Sequence, residues 1–563
     1  MADMTLDMNS PKGRRQSYEM RYGMLKNERE SFLAHWKDLS KYIVPRRGRF
    51  FVTDRNDGSA SEYNSIYDNT ATVALRTLVA GMMSGITSPA RPWFRLATPD
   101  PMMMDFQPVK EWLYSVENLM RMIFNKSNFY NSLHVLYEEL ALFGTASMLI
   151  DEDFNDAIRC YNMTAGEYCL GLDERLAVNS IYREYSLSVW QVVERFGIDN
   201  VSMTTRQAYE RGQYDSWVAV MHVIQPNIDY KEGAIGRKGK PYMSCHYEKE
   251  LGDGDENIFL AEGGYFEQPV VAPRWGIRGS DIYGDRCPAM EALGDVKQLQ
   301  FETSRKSEAI DKLVDPPLQA PPQLKNQTWS TLAGGVTFVD QTQLQGGFRP
   351  VYEVNPRLNE MMMDIADVQR RINDAFYVDL FRMLSLTDRR EITAREVEEK
   401  HEEKLLMLGP VLERLHNELL DPIIDRVFGI MIRNEMLPPP PPEIAGADLR
   451  VEYISVLAQA QRAVGIGSIE RLSGFVGGLA QMNPEVMMKF DFDQAVDEYS
   501  NMIGVPPSLL VSDEDVAAKR QAQNEIQARD RMIGETQAAM ATAKDMADTP
   551  TDTPSMLSDY LAR

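Results

Sequence analysis

The sequence predicts an α+β chain that is mainly helical. Three observations carry that expectation. Apolar residues recur every three or four positions through most of the chain, the period drops to two between about 150 and 275, and two long helical runs bracket a short section rich in proline and glycine.

At 563 residues the chain exceeds what one core needs, so several structural units are expected. The balance of 60 basic against 83 acidic residues leaves a net charge of −23, which excludes a broad basic face for gripping nucleic acid or an anionic membrane. Four cysteines, Cys160, Cys169, Cys245 and Cys287, lack CxxC spacing and point to a reducing compartment rather than a disulfide scaffold or structural zinc. The opening residues MADMTLDMNSPKGRRQSYEM have no apolar core of the signal-peptide kind, and no window approaches ~18 uninterrupted apolar residues, so a soluble intracellular protein without a membrane span is expected. The 33 methionines suit packing surfaces that must adjust, or gap-filling in cores.

A flexible N-terminus is expected over 1–19, then a helix from about 20 to 45 that brings Phe32, Trp36, Leu39 and Ile43 to one face before Pro45 stops it. The basic turn PRRGRFF follows, with Arg46, Arg47 and Arg49 interleaved with Phe50 and Phe51. It reads as a structural turn or subunit contact before a DNA contact. The small-residue helix TATVALRTLVAGMMSGI leads into SPARPWFRL, where Pro89 and Pro92 force an extended path and Trp93 and Phe94 read as core aromatics. Helical periodicity resumes in EWLYSVENLMRMIFNKS and SLHVLYEELALFGTASMLI. The period-two section holds SWVAVMHVIQP, PYMSCHYEK and EGGYFEQPVVAPRW, antiparallel strands separated by Gly and Pro.

Helix returns after Tyr283 to Pro288, with Pro288 suited to a first turn, and runs to about Val314, ~40 Å at 1.5 Å per residue. Its middle, QFETSRKSEAIDK, lacks a wide apolar stripe, so this helix is not expected to bury one face in a core of its own. Residues 315–357 are rich in proline and glycine with one short strand, GVTFVD. The next helix, 358–384, repeats Met361, Ile365, Val368, Ile372 and Phe376 on one face. A polar, arginine-bearing hinge, SLTDRREI, occupies 385–392. A kinked helix over 393–437 is then expected: Thr393 and Glu396 form a capping box, Leu405, Leu408, Leu412, Leu415 and Leu419 make a stripe, and Pro410 and Pro422 lie inside it. The run LPPPPP opens a stiff connector, 438–450. Short helices are expected over 451–513, a polar helix over 514–545 and a flexible tail over 546–563.

No catalytic, metal or cofactor motif emerges. The six histidines lack ligand spacing, and HEEK from His401 lacks the second histidine of HExxH. Cys245 and His246 are neighbours on an apparent strand, an unsuitable arrangement for a nucleophile and its base. GAIGRKGKP departs from a phosphate loop, because Gly233 is one residue too far from Gly239 and Pro241 replaces the magnesium-holding hydroxyl. It reads as a hairpin turn. GxSxG is absent, and Gly465 to Gly467 lack a third glycine at dinucleotide spacing.

The words WKDLSKYIVPRRGRF, YDNTATVALRTLVAGMMSGITSPARPWFRL, YGDRCPAMEALGDVKQLQ, ITAREVEEK, and SVLAQAQRA followed by IGVPPSLL occur in an order that resembles the head-to-tail connecting (portal) proteins of short-tailed, podovirus-like bacteriophages, over roughly 20 to 515. The resemblance implies a ring of about twelve subunits at one capsid vertex, a virion component assembled in the host cytoplasm, through which double-stranded DNA is packed and later ejected. It implies a wing over 20–282, stem helices over 283–314 and 358–384, a clip over 315–357, a tunnel loop over 385–392, a helix returning to the wing, and a crown over 451–513. Implied partners are the terminase large subunit, tail adaptor or nozzle proteins, and major capsid and scaffolding proteins. The expected DNA-facing residues are Arg382, Thr387, Asp388, Arg389 and Arg390, with Arg389 and Arg390 on phosphates. The alternative for Asp388, Arg389, Arg390 and Glu391 is exposed surface pairs worth under about 1 kcal/mol each. Gln323, Lys325, Trp329 and Arg349 are the expected docking residues of the clip, either for partners or for neighbouring clips. Two other functions remain open at this level: a nuclease or ATPase of the packaging pathway, and a non-channel scaffolding or adaptor protein.

Overall fold

The structure, a computed structural model, describes residues 10–45, 48, 66–98, 106–251, 257–314, 318–319, 349–350, 357–386, 408–444, 450–453, 472–479, 489–492, 494–496, 499 and 513–547. It is mixed α and β. Two compact units divide the chain: the larger comprises 1–95, 116–438 and 451–464, and the smaller 96–115, 439–450 and 465–563.

Helix α1 spans Pro11–Ile43. Ser10 supplies its N-cap, the Oγ accepting from the Gly13 amide at 3.1 Å, and Pro11 fits the first turn. The expectation of a flexible segment over 1–19 is therefore corrected for 10–19, where the cap, the proline and a buried Tyr18 set the helix against a sheet. Arg29, also buried, donates to the carbonyls of Gly166 and Tyr168 at 2.8 and 2.7 Å. Helix α2 (Thr70–Gly85) and strand β1 (Phe94–Ala97) follow, then α3 (Gln107–Lys126) and α4 (Phe129–Phe143). Trp93 and Phe94 are core residues as expected, their rings 4.6 Å apart and continued by Phe124 and Phe129.

The β-rich section forms two antiparallel sheets. One orders β3 (Ala157–Met163), β2 (Ser147–Asp153) and β9 (Val270–Val271). The other orders β4 (Tyr168–Leu172), β5 (Val178–Ser188), β6 (Trp217–Pro226), β7 (Tyr242–Glu248) and β8 (Ala261–Tyr265), with the short helices α5 (Val189–Phe196) and α6 (Met203–Glu210) between β5 and β6. Its α1-facing core contains Tyr18, Tyr182, Cys245 and Tyr247. GAIGRKGKP lies in the β6–β7 connection as a short 3-10 turn, Gly236–Gly239, consistent with the hairpin reading.

The long helix α7 (Pro288–Val314) starts at a crossing of two glycine backbones. Gly144 ends α4 at φ +73°, its carbonyl accepts from the Trp275 amide at 2.8 Å, and the Gly284 amide donates to Thr145 Oγ1 at 2.6 Å. A Cβ on Gly284 would overlap the Gly144 carbonyl, so neither position accepts a larger residue without a shift. Beside the crossing Tyr283 stands edge-on to Trp36, 5.2 Å between centroids, and Trp36 Nε1 donates to the Phe143 carbonyl.

The expectation that α7 buries no face is corrected for its first half. Ala289, Ala292, Val296 and Leu299 are buried where α7 packs along α8 (Leu358–Ala375), α1 and α4. The apolar spacing there was diluted by alanines and by Gln300, whose buried amide accepts from the Tyr67 and Asp68 amides at 2.6 and 2.9 Å. Beyond Gln300 the expectation stands, with Phe301, Ile310, Leu313 and Val314 exposed. Among the α8 residues expected on one face, Ile365, Val368, Ile372 and Phe376 are buried.

The helix expected to run unbroken over 358–384 is interrupted. After Ala375 the chain turns through Phe376 and Tyr377, the latter at φ +54°, and restarts as α9 (Val378–Leu386). The turn carries Phe381 onto α2, where it lies over Gly81; a Cβ at Gly81 would overlap the Phe381 ring. Helix α10 (408–433) contains a π turn, His416–Leu420, before Pro422. The expected kink takes this form because proline would otherwise drive its ring into the carbonyl four residues back. Leu408, Leu412, Leu415 and Leu419 are buried.

In the smaller unit Val109 and Leu113, on the first half of α3, and Ile444 are buried, and two further helices are described, α11 (472–479) and α12 (Asp513–Ala547). Ladder β10 (Leu318–Gln319) with β11 (Arg349–Pro350) belongs to the larger unit, and β12 is Arg450–Tyr453. The expected strand GVTFVD, the capping box at Thr393 and most of 451–513 lie outside the described residues.

Two measurements test this packing. Gly81→Val is expected to displace Phe381 at a cost of about 1–3 kcal/mol, read as roughly 5- to 150-fold faster tryptic cleavage after Arg382 on α9; unchanged cleavage would refute the α2–α9 contact. The second concerns His222 and His246, stacked with centroids 3.8 Å apart, both buried, with His222 Nε2 2.9 Å from Ser244 Oγ. Burial holds His222 well below the ordinary 6.5, reinforced by His246, Arg183 and Arg195, and burial with Arg195 and Arg183 lowers His246 to about 3. Both are neutral when folded, so their stabilising effect is complete above the unfolded value and erodes as pH falls below it, by about 1.4 kcal/mol per pH unit for each histidine. The urea midpoint should drop between about pH 7 and about pH 5, and the double variant His222→Phe/His246→Phe should flatten that drop.

Candidate nucleic-acid interface

Of the five residues expected to face DNA, the structure places Arg382, exposed on α9 one turn before its end. A cation there is favoured by the partial negative charge of the helix C-terminus. Thr387, Asp388, Arg389 and Arg390 lie outside the described residues, directly beyond Leu386. Ser385 and Leu386, expected in the loop, are the last helical residues instead. Val378, Leu380 and Phe381 are buried, so the apolar side of α9 fixes the direction in which the chain leaves it.

Upstream, α7 and α8 present charges that largely satisfy one another. On the exposed half of α7, Glu308 accepts from Arg305 and from Lys312, each at 2.8 Å, and those hydrogen bonds, Lys312 first, hold its carboxyl below the usual range. Arg370 and Arg371 both reach Asp367, and Arg371 also pairs with Asp295 of α7 at 3.1 Å. Lys297 reaches Asp38 of α1 at 2.7 Å. Such exposed pairs contribute little stability each, but they offset the positive charge that phosphates would seek.

Downstream, α10 is held to the β-sheets by charges that sequence reasoning did not find. Arg274 is buried, and its backbone amide, Nε and a terminal guanidinium nitrogen all donate to Glu418 in the π turn, at 2.9, 3.2 and 2.8 Å. Beyond Pro422 the partners change: Arg426, fully buried, donates to Glu267 at 2.7 Å, and Arg433 binds both Glu267 and Glu152. Glu267 sits on Gly429, where a Cβ would overlap its carboxylate. The only signal was the spacing of Arg426, Gly429 and Arg433 on one helix face, and nothing in the sequence named Glu267 as their partner.

Of the four expected docking residues, Arg349 lies in β11, in register with Gln319 of β10, a two-residue ladder that brings the ends of the 315–357 segment together. Gln323, Lys325 and Trp329 lie outside the described residues, as do Arg46, Arg47, Arg49, Phe50 and Phe51. All four cysteines are buried free thiols. Burial pushes Cys160 and Cys287 up to about 12 and Cys169 to about 11, so these sulfurs stay protonated. No group of three or more His, Cys, Asp or Glu among the described residues is arranged to hold a metal ion, and no described helix is long and apolar enough to cross a membrane. The arrangement positions cationic side chains on helix-supported segments.

Comparison with known proteins gives consistent results. Residues 15–510 match the family described as bacteriophage head to tail connecting protein. The portal protein of Salmonella phage epsilon15 is 47% identical over 533 residues, covering 95% of this chain and 95% of the relative. A probable portal protein of Bordetella phage BPP-1 is 47% identical over 525 residues, covering 93% and 94%. Among solved structures, a chain from the neck of an empty gene transfer agent particle aligns with 75% of this chain and 94% of its own length, at 12% identity and a TM-score of 0.34. With nearly half of all positions identical to each of two portal proteins along almost the whole length, the chain belongs to the bacteriophage head-to-tail connecting protein family, the portal proteins.

Proposed function

We propose that this portal protein forms a ring of about twelve subunits at one capsid vertex and serves as the channel for double-stranded DNA during packaging and ejection. The observation that carries this is near-complete coverage of two portal relatives at 47% identity. In this reading 20–282 is the wing, α7 and the interrupted helical run 358–384 are the stem, 315–357 the clip, 387–392 the tunnel loop and 451–513 the crown. The exposed outer half of α7 supports a stem role, because Phe301, Ile310, Leu313 and Val314 gain burial once subunits stand side by side.

The tunnel loop would meet DNA through Arg389 and Arg390, with Arg382 behind them. A few cations repeated round a ring hold a polyanion loosely, while the paired charges on α7 and α8 keep the remaining surface from binding tightly enough to stall a sliding duplex. The protein acts as a structural channel, with packaging energy supplied by a separate ATPase. Terminase large subunit and then tail adaptor or nozzle proteins dock at the clip, through Gln323, Lys325, Trp329 and Arg349. Capsid and scaffolding proteins surround the wing, and assembly takes place in the host cytoplasm.

Negative-stain imaging with light-scattering mass on the same sample should show rings with a central hole and a mass near a dozen chains; a stable compact monomer would overturn the ring. In rings of the double variant Arg389→Glu/Arg390→Glu, assembly should persist while packaged DNA falls at least about tenfold. Normal packaging by intact variant rings would remove the phosphate role.

A further inference from the structure

The five-stranded sheet carries an exposed aromatic cluster that the channel reading does not use. Trp190 opens α5, Tyr209 lies near the end of α6, and Tyr214 and Trp217 lead into β6. The Trp190 amide donates to the Tyr214 carbonyl at 3.2 Å, which fixes the start of α5 beside the chain entering β6. Trp190 and Tyr214 meet at 88° with centroids 5.7 Å apart, and Tyr209 and Tyr214 at 70° and 5.2 Å. Trp190 and Tyr209 are near-parallel, at 29° with centroids 6.3 Å apart, so Tyr214 stands across two facing rings and the three make a walled corner rather than a flat face. Trp190 remains 50% exposed, Tyr214 43% and Trp217 58%, so the rings cover one another only in part.

The same chain carries a ligand of matching chemistry. Pro438 to Pro442 form neither helix nor strand through Pro441, and Pro439, Pro440 and Pro442 are exposed. Each of Pro438 to Pro441 is followed by proline, so ring closure fixes φ while the next ring excludes the helical region, leaving an extended polyproline II rod. Such a rod has three residues per turn and little conformational entropy left to lose, and steeply angled aromatic rings are the surfaces that receive it.

We propose that the corner formed by Trp190, Tyr209 and Tyr214 of one subunit receives the proline run of a second copy. The inference rests on the ring reading, since it needs copies side by side. A ring interface is heterologous, joining two different surfaces, and an aromatic corner with a proline rod is such a pair. The contact would link adjacent subunits through a preformed strut, apart from any contact between stem helices.

The test uses the full-length protein with the photo-cross-linker p-benzoylphenylalanine in place of Tyr214. Equal amounts of isotopically heavy and light chains are mixed before assembly, and ring mass is measured before illumination. The expected product is a mixed heavy–light cross-link to the peptide containing Pro438 to Pro442. Trp190→Ala in the cross-linker chain, or Pro439→Ser/Pro440→Ser in its partner, should each lower the yield at least about fivefold, with Trp190 acting as the central aromatic anchor. Intact rings that give no such cross-link, or one to another segment or another protein, overturn the docking while leaving the ring reading in place. A sample that stays monomeric overturns both.

Discussion

The contact of two glycine backbones at Gly144 and Gly284 is the constraint on which the rest of the larger unit depends. It joins the end of α4, the strand-like path through Trp275 and the start of α7 with no side chain between them. Trp36 and Tyr283 close over the same place, so α1 is tied in as well. From there α7 leaves as a rod whose first half is buried and whose second half projects. The projecting half has no apolar core to hold it within its own subunit, so its direction is set at the crossing, some twenty residues away. A side chain at either glycine would force the two backbones apart and shift the start of α7.

Charges divide into two kinds with different tasks. Those on the projecting helices, such as Arg305, Glu308 and Lys312, are exposed, pair along one helix and contribute little to stability. Those that hold α10, Arg274 with Glu418 and Arg426 with Glu267, are buried on the arginine side, where an unpaired partner would be expensive and geometry is therefore enforced. The guanidinium fork suits this use because one arginine can satisfy several acceptors at fixed angles. The first kind leaves little unbalanced positive charge on α7 and α8; the second fixes α10 against the β-rich section.

Much of this order was legible in the sequence. Helical spacing placed most of α1, a period of two placed the β-rich section, Pro288 marked the start of α7 and polar composition marked α12, and the face Ile365, Val368, Ile372 and Phe376 is the buried one. What was missed has physical causes. The break at Tyr377 has no glycine or proline to announce it, since a non-glycine residue takes the left-handed conformation once Phe381 is seated on Gly81. The first half of α7 hid its buried face behind alanines. The clamp on α10 joins residues more than a hundred positions apart, and a pairing of that range leaves no local pattern. For the segment expected to face DNA the sequence offered residue types and an order of words; of its five named residues, the described structure reaches Arg382 alone.

The π turn of α10 has a geometric consequence. Five residues there span what four would in an α-helix, so one residue is in effect inserted between the part clamped by Glu267 and the part leading toward the candidate loop. One residue of helix corresponds to about 100° of rotation and about 1.5 Å of rise. With 421–433 anchored, chain length within 416–420 therefore sets the azimuth of 408–415. Loss of a single residue there would turn the N-terminal part of α10, 408–415, through more than a quarter of a circle while leaving its anchored end unmoved.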